Sequence, residues 1–316
     1  MNHHNEQFRR EIEKAGFTPP KTIRPGVMQR FSTNGRRSDT SGWCKFFPEG
    51  GGGVFGDFRS GLSSTWFAEK IRPFSLAERQ NQNAALRKAR VEAAELQSRQ
   101  WVVAAAKNAT LWSEAQPVAE NDPVMRYLAA RGIDLKSWPQ ALRCHPGLAY
   151  WHQGQCVGRF PAMLGAVTNV SGQLVSVHRT YLSDNGQKAD VEIVKKLTGS
   201  SARLAGCSIK LGEPDFCYGV KTLAVAEGIE TALACMTTAI PTVSAVSAHG
   251  LAAFHWPGDV MNLIIFADND MSQVGQRAAA ALQRRAKQRG LAARVFSPPI
   301  AGTDWADVLA ARSEGC

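Results

Sequence analysis

The sequence predicts an α/β protein. A parallel sheet between helices fills its last third, preceded by a mixed α+β basic segment, a long helix and a small β-rich N-terminal module. Three observations carry this. From about Phe216 onward, strand-length apolar runs alternate with helical stretches: Thr222–Ala226, Ile229–Thr238, Thr242–Val246, Leu263–Ala267, Ser272–Arg289 and Ala293–Phe296. Such alternation is the pattern of βαβ units. Between Phe74 and Gln116 there is no Gly or Pro, and Ala, Arg, Glu, Gln and Leu dominate, which favours one long helix. Before Pro73 the chain is rich in Gly, Trp and Phe, the composition of short strands and turns.

In chain order, residues 1–73 form the small β-rich module. Its SGWCKFFPEGGGGVFGDFRSG run is aromatic segments broken by glycines, with Gly50 to Gly53 read as a hairpin tip or loop. Trp43, Phe46, Phe55, Phe58 and Trp66 suit a core short of aliphatic residues, base stacking being the other use of such rings. Residues 74–116 are the long helical linker. Residues 117–215 open with a helical piece, Pro123 to Arg131, closed by Gly132. FPAMLGAVTN and SGQLVSVHRTYL then read as a β-hairpin joined by Asn169-Val170-Ser171-Gly172. Residues 216–316 are the alternating α/β segment, and Gly290 stands just past a helix end, where a left-handed residue belongs.

The chain has 316 residues, with 37 Lys and Arg against 27 Asp and Glu, a net charge of +10. That excess suits a polyanionic partner. No run of about 18 apolar residues occurs, so no membrane-spanning helix is expected. The polar start, MNHHNEQFRREIEK, predicts no cleaved secretion signal. The cysteines, Cys44, Cys144, Cys156, Cys207, Cys217, Cys235 and Cys316, are scattered with no CxxC pair. A zinc ribbon and a disulfide framework both need other spacings, so these read as reduced thiols of a cytoplasmic protein. No G-x-x-x-x-G-K-[ST] occurs, so the chain carries no recognisable ATP motor.

Two segments carry the chemistry. LAVAEGIETALA puts Glu227 at the C-terminal end of one strand; LIIFADND puts Asp268 and Asp270 at the end of another. Ligands of open parallel sheets bind beyond the carboxyl ends of strands. Residues two apart in extended backbone point to one side. Three carboxylates in one cleft repel one another unless a cation sits among them. Mg²⁺ takes one or two carboxylates plus waters and substrate phosphates, so Glu227, Asp268 and Asp270 are the expected catalytic and metal-binding residues, with Mg²⁺ or Mn²⁺. Gly228 would let backbone approach a phosphate or turn tightly. Asp304 and Asp307, in GTDWADVL, are further acidic candidates. A helix cap of capping-box type and a place near the metal are compatible for them.

The AEGIETALA and FADND segments resemble the Toprim domain of DnaG-type primases, type IA and II topoisomerases and some nucleases. EGIETA is similar to the EGYATA-type motif of primases from conjugative plasmids and satellite phages, and SAHGLAAF and GTDWADVL resemble the same subgroup. GRFPAMLGAVTNVSGQLVSVHRTYL is similar to the basic strand subdomain that precedes Toprim in DnaG-type primases. GWCKFFPEGGGGVFGDFRSG looks like the zinc-free leader of plasmid and phage primases. The resemblance covers most of the chain and is strongest from Phe160 onward. It implies Glu227 as the acid of the Glu-Gly motif and Asp268 and Asp270 as the metal-binding pair. Two departures stand out: Thr231 occupies the position of the family's second acid, with Glu230 one before it, and the glycine after D-x-D comes only at Gly275.

The strand-rich middle carries Arg159, His178, Arg179, Lys195, Lys196 and Arg203. Cations grip phosphates, Arg bidentately, and the resemblance places nucleotide and template binding at Arg159, Arg179, Lys195, Lys196 and Arg203. The implied function is a DNA primase: metal-dependent, template-directed synthesis of short RNA primers from NTPs on single-stranded DNA. A Toprim nuclease and a non-catalytic, ssDNA-binding replication accessory protein are the alternatives. A topoisomerase would need a nucleophilic Tyr in a further catalytic module, and Tyr127, Tyr150, Tyr181 and Tyr218 sit in none. If priming is coupled to unwinding, the helicase is a separate partner.

Overall fold

The computed structural model describes residues 3–35, 39–47, 51–68, 75–217 and 219–313. The chain divides into two units, 1–102 and 103–316. In the first, helix α1 (His3–Lys14) precedes four strands: β1 (Gln29–Phe31), β2 (Gly42–Phe47), β3 (Gly52–Asp57) and β4 (Leu62–Phe67). They form one antiparallel sheet in the order β1-β2-β3-β4. Phe8 and Ile12, four apart on α1, bury against Cys44, Phe46 and Phe55 on one face of this sheet. Trp43 and Val54 pack with Ala89 and Ala93 of helix α2 (Leu76–Glu114).

The rings read as core behave as core. Trp43, Phe46 and Phe55 are buried, Trp66 packs against them, and Phe58 stacks on Trp43. The glycine run differs from expectation. Gly52 and Gly53 lie inside β3, while Gly51 precedes it and Gly50 falls outside the described residues. A Cβ at Gly53 would enter the Phe8 ring, and one at Gly52 the Phe67 ring. These glycines make room for aromatic packing rather than for a loop.

The second unit takes the rest of α2 and then β5 (Gln116–Pro117), α3 (Pro123–Ala129), β6 (Leu142–His152), β7 (Gln155–Thr168), β8 (Leu174–Tyr181), β9 (Lys195–Leu197) and β10 (Ser208–Ile209). It continues with β11 (Asp215–Cys217), β12 (Val220–Ala226), α4 (Ile229–Met236), β13 (Thr242–Ser244), α5 (Ala248–Ala253), β14 (Asn262–Phe266), α6 (Val274–Gln288), β15 (Ala292–Phe296) and α7 (Trp305–Ser313). The expected hairpin is β7–β8, closed where the Gly172 amide donates to the Asn169 carbonyl. The short helix α3 is capped by Asp122, whose carboxylate accepts from the Met125 amide at 2.6 Å.

β12, β13, β14 and β15 are parallel neighbours in the order β15-β14-β12-β13. The continuous apolar run of β14, with Leu263, Ile265 and Phe266 buried, suits a strand covered on both faces. Residues of α4 share a core with α3, β7 and β10, and α5 and α6 share another with β12 and β14. Helix α6 ends in a Schellman motif: Gly290 has φ +78°, the Leu291 amide donates to the Ala286 carbonyl, and the Gly290 amide to that of Lys287. The expected boundary at 215/216 falls within one sheet of eleven strands. The two-residue β10 bridges it, Ile209 pairing with Val167 of β7 and Ser244 of β13. No described helix is long and apolar enough to cross a membrane.

Candidate functional site

β12 and β14 lie side by side, and the chain leaves them in opposite directions. From β12 it passes through α4 to β13 on one flank, while β14 lies on the other. This is a topological switch point, where the ends of parallel strands open a crevice. Glu227 follows β12 directly, and Asp268 and Asp270 follow β14 after Ala267. Gly228 caps α4 in ordinary extended backbone, and a Cβ there would meet nothing nearer than 3.7 Å. No steric demand for glycine exists at 228.

Gly275, in the first turn of α6, is the glycine this site uses. A Cβ on it would stand 3.0 Å from Glu227 Oε2 and 3.4 Å from Asp270 Oδ2. The Glu227 and Asp270 carboxylates therefore face one point. Asp270 is braced by Ser272, whose hydroxyl donates to Oδ1 at 2.6 Å, and its pKa is lowered by that bond and by the amides at the start of α6. Glu227 is raised, first by burial, with the Asp270 charge adding to it. Asn269, between the two aspartates, is bound up with the backbone: its side-chain amide donates to the Pro298 carbonyl and its main-chain amide to that of Thr303.

Asp268 is engaged differently. Its Oδ1 accepts from the Thr231 hydroxyl at 3.0 Å. Burial pushes it up to about 6, and the Asp304 and Glu227 charges push the same way against the Thr231 bond. Thr231, the departure from the family's pattern, thus supplies a neutral donor. Among the described residues, no three His, Cys, Asp or Glu side chains stand close enough together to enclose a metal ion. The expected three-carboxylate cluster is resolved into a facing pair, Glu227 and Asp270, with Asp268 beside it and turned to Thr231. Two hard-oxygen donors converging over a glycine fit a divalent cation that keeps waters and substrate oxygens for its other positions.

Glu230 points away from this pair. It is 3% exposed, and its Oε1 accepts from the Tyr127 hydroxyl at 2.8 Å and from Lys195 Nζ at 2.8 Å. Burial alone would raise Glu230, but the charge and hydrogen bond of Lys195 outweigh it and hold the carboxyl at about 2. Lys195 is 44% exposed at its side chain, and its charge also reaches Glu227 and Asp268. It is the one of the five expected phosphate-binding cations that the structure brings to the acidic cleft. His178, on the same face of β8 as Thr180, is buried and lowered to about 4, mainly by desolvation.

The other four cations lie elsewhere. Arg179 and Lys196 pair across β8 and β9 on the opposite sheet face from Lys195. Arg179 Nη2 donates to the Leu197 carbonyl, and Lys196 Nζ to the Trp151 carbonyl. Arg159 sits on β7, its Nε donating to the Gly147 carbonyl. Arg203 is exposed between β9 and β10. Asp304 and Asp307 take the cap role at the start of α7: the Asp307 amide donates to Asp304 Oδ1 at 2.8 Å and the Asp304 amide to Asp307 Oδ2 at 2.9 Å. Arg131 pairs with both, at 3.0 and 3.5 Å. Tyr127 and Arg131 carried no signal in the sequence as site residues, and Thr231 and Glu230 stood out only as departures from the family's pattern, because each works through a partner at least 35 positions away.

Residues 222–315 match the family model described as Toprim domain. The end of the chain is a Toprim domain. The matched stretch includes the β12 and β14 termini described above. Residues 103–208, upstream of the Toprim domain, match a domain of unknown function, DUF7146. No curated protein matches the chain. Among solved structures, the primase fragment of the bacteriophage T7 primase-helicase protein is 20% identical with a TM-score of 0.33. That match covers 51% of this chain and 62% of the phage fragment, so this chain spans less than two thirds of it. The RNA polymerase domain of Mycobacterium tuberculosis primase DnaG is 16% identical with a TM-score of 0.38, covering 69% of this chain and 82% of that one.

Proposed function

We propose that the protein is a DNA primase of the plasmid and phage type, joining ribonucleotides on a single-stranded DNA template with Mg²⁺ or Mn²⁺. The observation that carries this is the facing Glu227–Asp270 pair at the Toprim switch point, with a lysine from the preceding strands at its edge. Glu227 and Asp270 would hold the cation, and Asp268 would stand beside them as a third acid oriented by Thr231. The cation, when bound, would neutralise the triphosphate and the charge developing on the attacking and leaving oxygens. Lys195 would contact phosphate while anchored by Glu230, which fixes its direction. Glu227, raised first by burial and also by the Asp270 charge, gains from a bound cation, because that charge offsets both effects. Arg159, Arg179, Lys196 and Arg203 would hold template and nucleotide, and a separate helicase would supply unwinding.

The test is primer synthesis on single-stranded DNA with labelled NTPs and Mg²⁺ or Mn²⁺. Short RNA products are expected, and Glu227→Gln or Asp270→Asn should reduce them at least roughly 100-fold, as loss of a transition-state charge stabiliser does. Undiminished synthesis in both variants would remove the mechanism. Metal-dependent degradation of DNA without NTPs would favour a nuclease. One observation favours a non-catalytic reading: Thr231, in place of an acid, leaves no three-carboxylate group among the described residues. DNA binding indifferent to divalent ions, with no primers made, would support it.

A further inference from the structure

β6 and β7 pair well beyond the reach of β8. β8 covers β7 only from Ala162 to Thr168, while β6 and β7 continue to His152 and Gln155. The projecting piece is a two-stranded ribbon. Its loop is two residues, Gln153 and Gly154, with φ of 49° and 85°. Positive φ at both central residues is the tight hairpin turn whose twist matches the strands, so the tip is built rather than slack. Lys196 clamps the base of the tip. Its Nζ lies 3.6 Å from the centre of the Tyr150 ring and donates to the Trp151 carbonyl at 2.6 Å.

On this braced ribbon Trp151 is 58% exposed, an expensive position for the largest apolar ring. Its direction follows from register. Lys195 pairs with Thr180 and Thr180 with Met163, so these three share a sheet face. Arg159 lies four residues before Met163 on β7 and faces the same way. Ala149 pairs with Arg159, and Trp151 is two residues on from Ala149. Trp151, Arg159 and Lys195 therefore occupy one face, leading from the ribbon tip to the acidic cleft over roughly 20 Å of strand. The charge of the ribbon strands themselves is one-signed: no Asp or Glu occurs between Asp134 and Asp184, and Lys195 at the cleft end is the cation paired with Glu230. Glu192, which reaches the tip from outside that stretch, is paired with His152 at 3.0 Å. His152 stacks parallel to Tyr150, on the face away from Trp151.

An exposed indole on strands that carry cations and no acid of their own is suited to a polyanion with aromatic faces. We propose that this ribbon face is the approach track for a single DNA strand, with Trp151 stacking on an unpaired base and Arg159 contacting its backbone. The inference rests on the primase reading for the direction of the track, and it assigns a contact residue outside the acidic cleft.

The test is binding of fluorescein-labelled oligo-dT to the full chain by anisotropy, without NTPs or divalent ions, across a salt series. Trp151→Ala should weaken binding roughly 5- to 100-fold, the range of one lost base stack. Trp151→Phe should lose less, and Phe216→Ala, an exposed ring on β11, should change nothing. Arg159→Gln should make the salt slope shallower by about 0.7, one phosphate contact to a single strand. A duplex of equal length should bind without regard to Trp151. Wild-type affinity in Trp151→Ala, absence of oligo-dT binding by the unaltered protein, or equal losses on oligo-dT and duplex would overturn the proposal. Trp151-dependent binding by a protein that makes no primers would defeat the primase reading alone. Primers made by a protein whose Trp151→Ala variant binds normally would defeat this inference alone.

Discussion

Glu227 and Glu230 are three residues apart at the entrance to α4, and they meet opposite surroundings. Glu230 turns inward to a hydroxyl and an ammonium, which hold its carboxyl at about 2 despite burial. Glu227 turns to the cleft, where burial and the Asp270 charge raise it. The same residue type on one turn thus serves as an ion-paired anchor and as a cleft-facing carboxylate held beside another carboxylate. The difference teaches that a carboxylate facing another carboxylate is left open to an external cation, whereas one already occupied by a cation of the chain serves structure.

The contrast breaks most severely at Glu230. Glu230→Ala leaves the Tyr127 hydroxyl and the half-exposed Lys195 without their acceptor, and should cost about 2–4 kcal/mol of unfolding free energy by urea titration. A loss below about 0.5 kcal/mol would show that the buried pair contributes nothing to stability. At Glu227 the sign reverses. Glu227→Gln removes like-charge repulsion with Asp270 and should leave stability in chelator unchanged or raised by about 1 kcal/mol. Mg²⁺ should raise the melting temperature of the unaltered protein and not that of this variant.

Acid sharpens the comparison further. Glu230 is held below its unfolded value, so its contribution is complete above pH 4.5 and is lost as pH falls toward about 2. Glu230→Gln should show a shallower fall of the urea midpoint across that window; parallel curves would mean the anchor titrates elsewhere. The smallest effect is expected at Gly275. Gly275→Ala should gain about 0.5–1 kcal/mol as a helix substitution, yet weaken the Mg²⁺ thermal shift by crowding Glu227 and Asp270. A variant both more stable and equally responsive to Mg²⁺ would place the cation away from this glycine.

Much of the Toprim domain was legible in the residues, because its elements are local. The apolar run of β14, the alanine-rich face of α6 and the C-terminal Gly290 each announce themselves within a few positions. Other elements were silent. α1 is marked only by Phe8 and Ile12 in a polar stretch, α5 is six residues long, and β6 is interrupted by irregular pairing. β10 was silent too: its two residues carry too little pattern to show that the strands before and after 215/216 belong to one sheet.

Sequence alone determined that Glu227, Asp268 and Asp270 stand at strand ends, since strand position and the D-x-D spacing are properties of short segments. Only the tertiary structure decided which of them face each other, that Thr231 takes Asp268, that Asp304 and Asp307 cap α7 under Arg131, and that Lys195 alone among the expected cations reaches the cleft. The reason is physical: hydrogen bonds and ion pairs form between side chains that folding brings within about 3 Å, and their sequence separations leave no periodic trace.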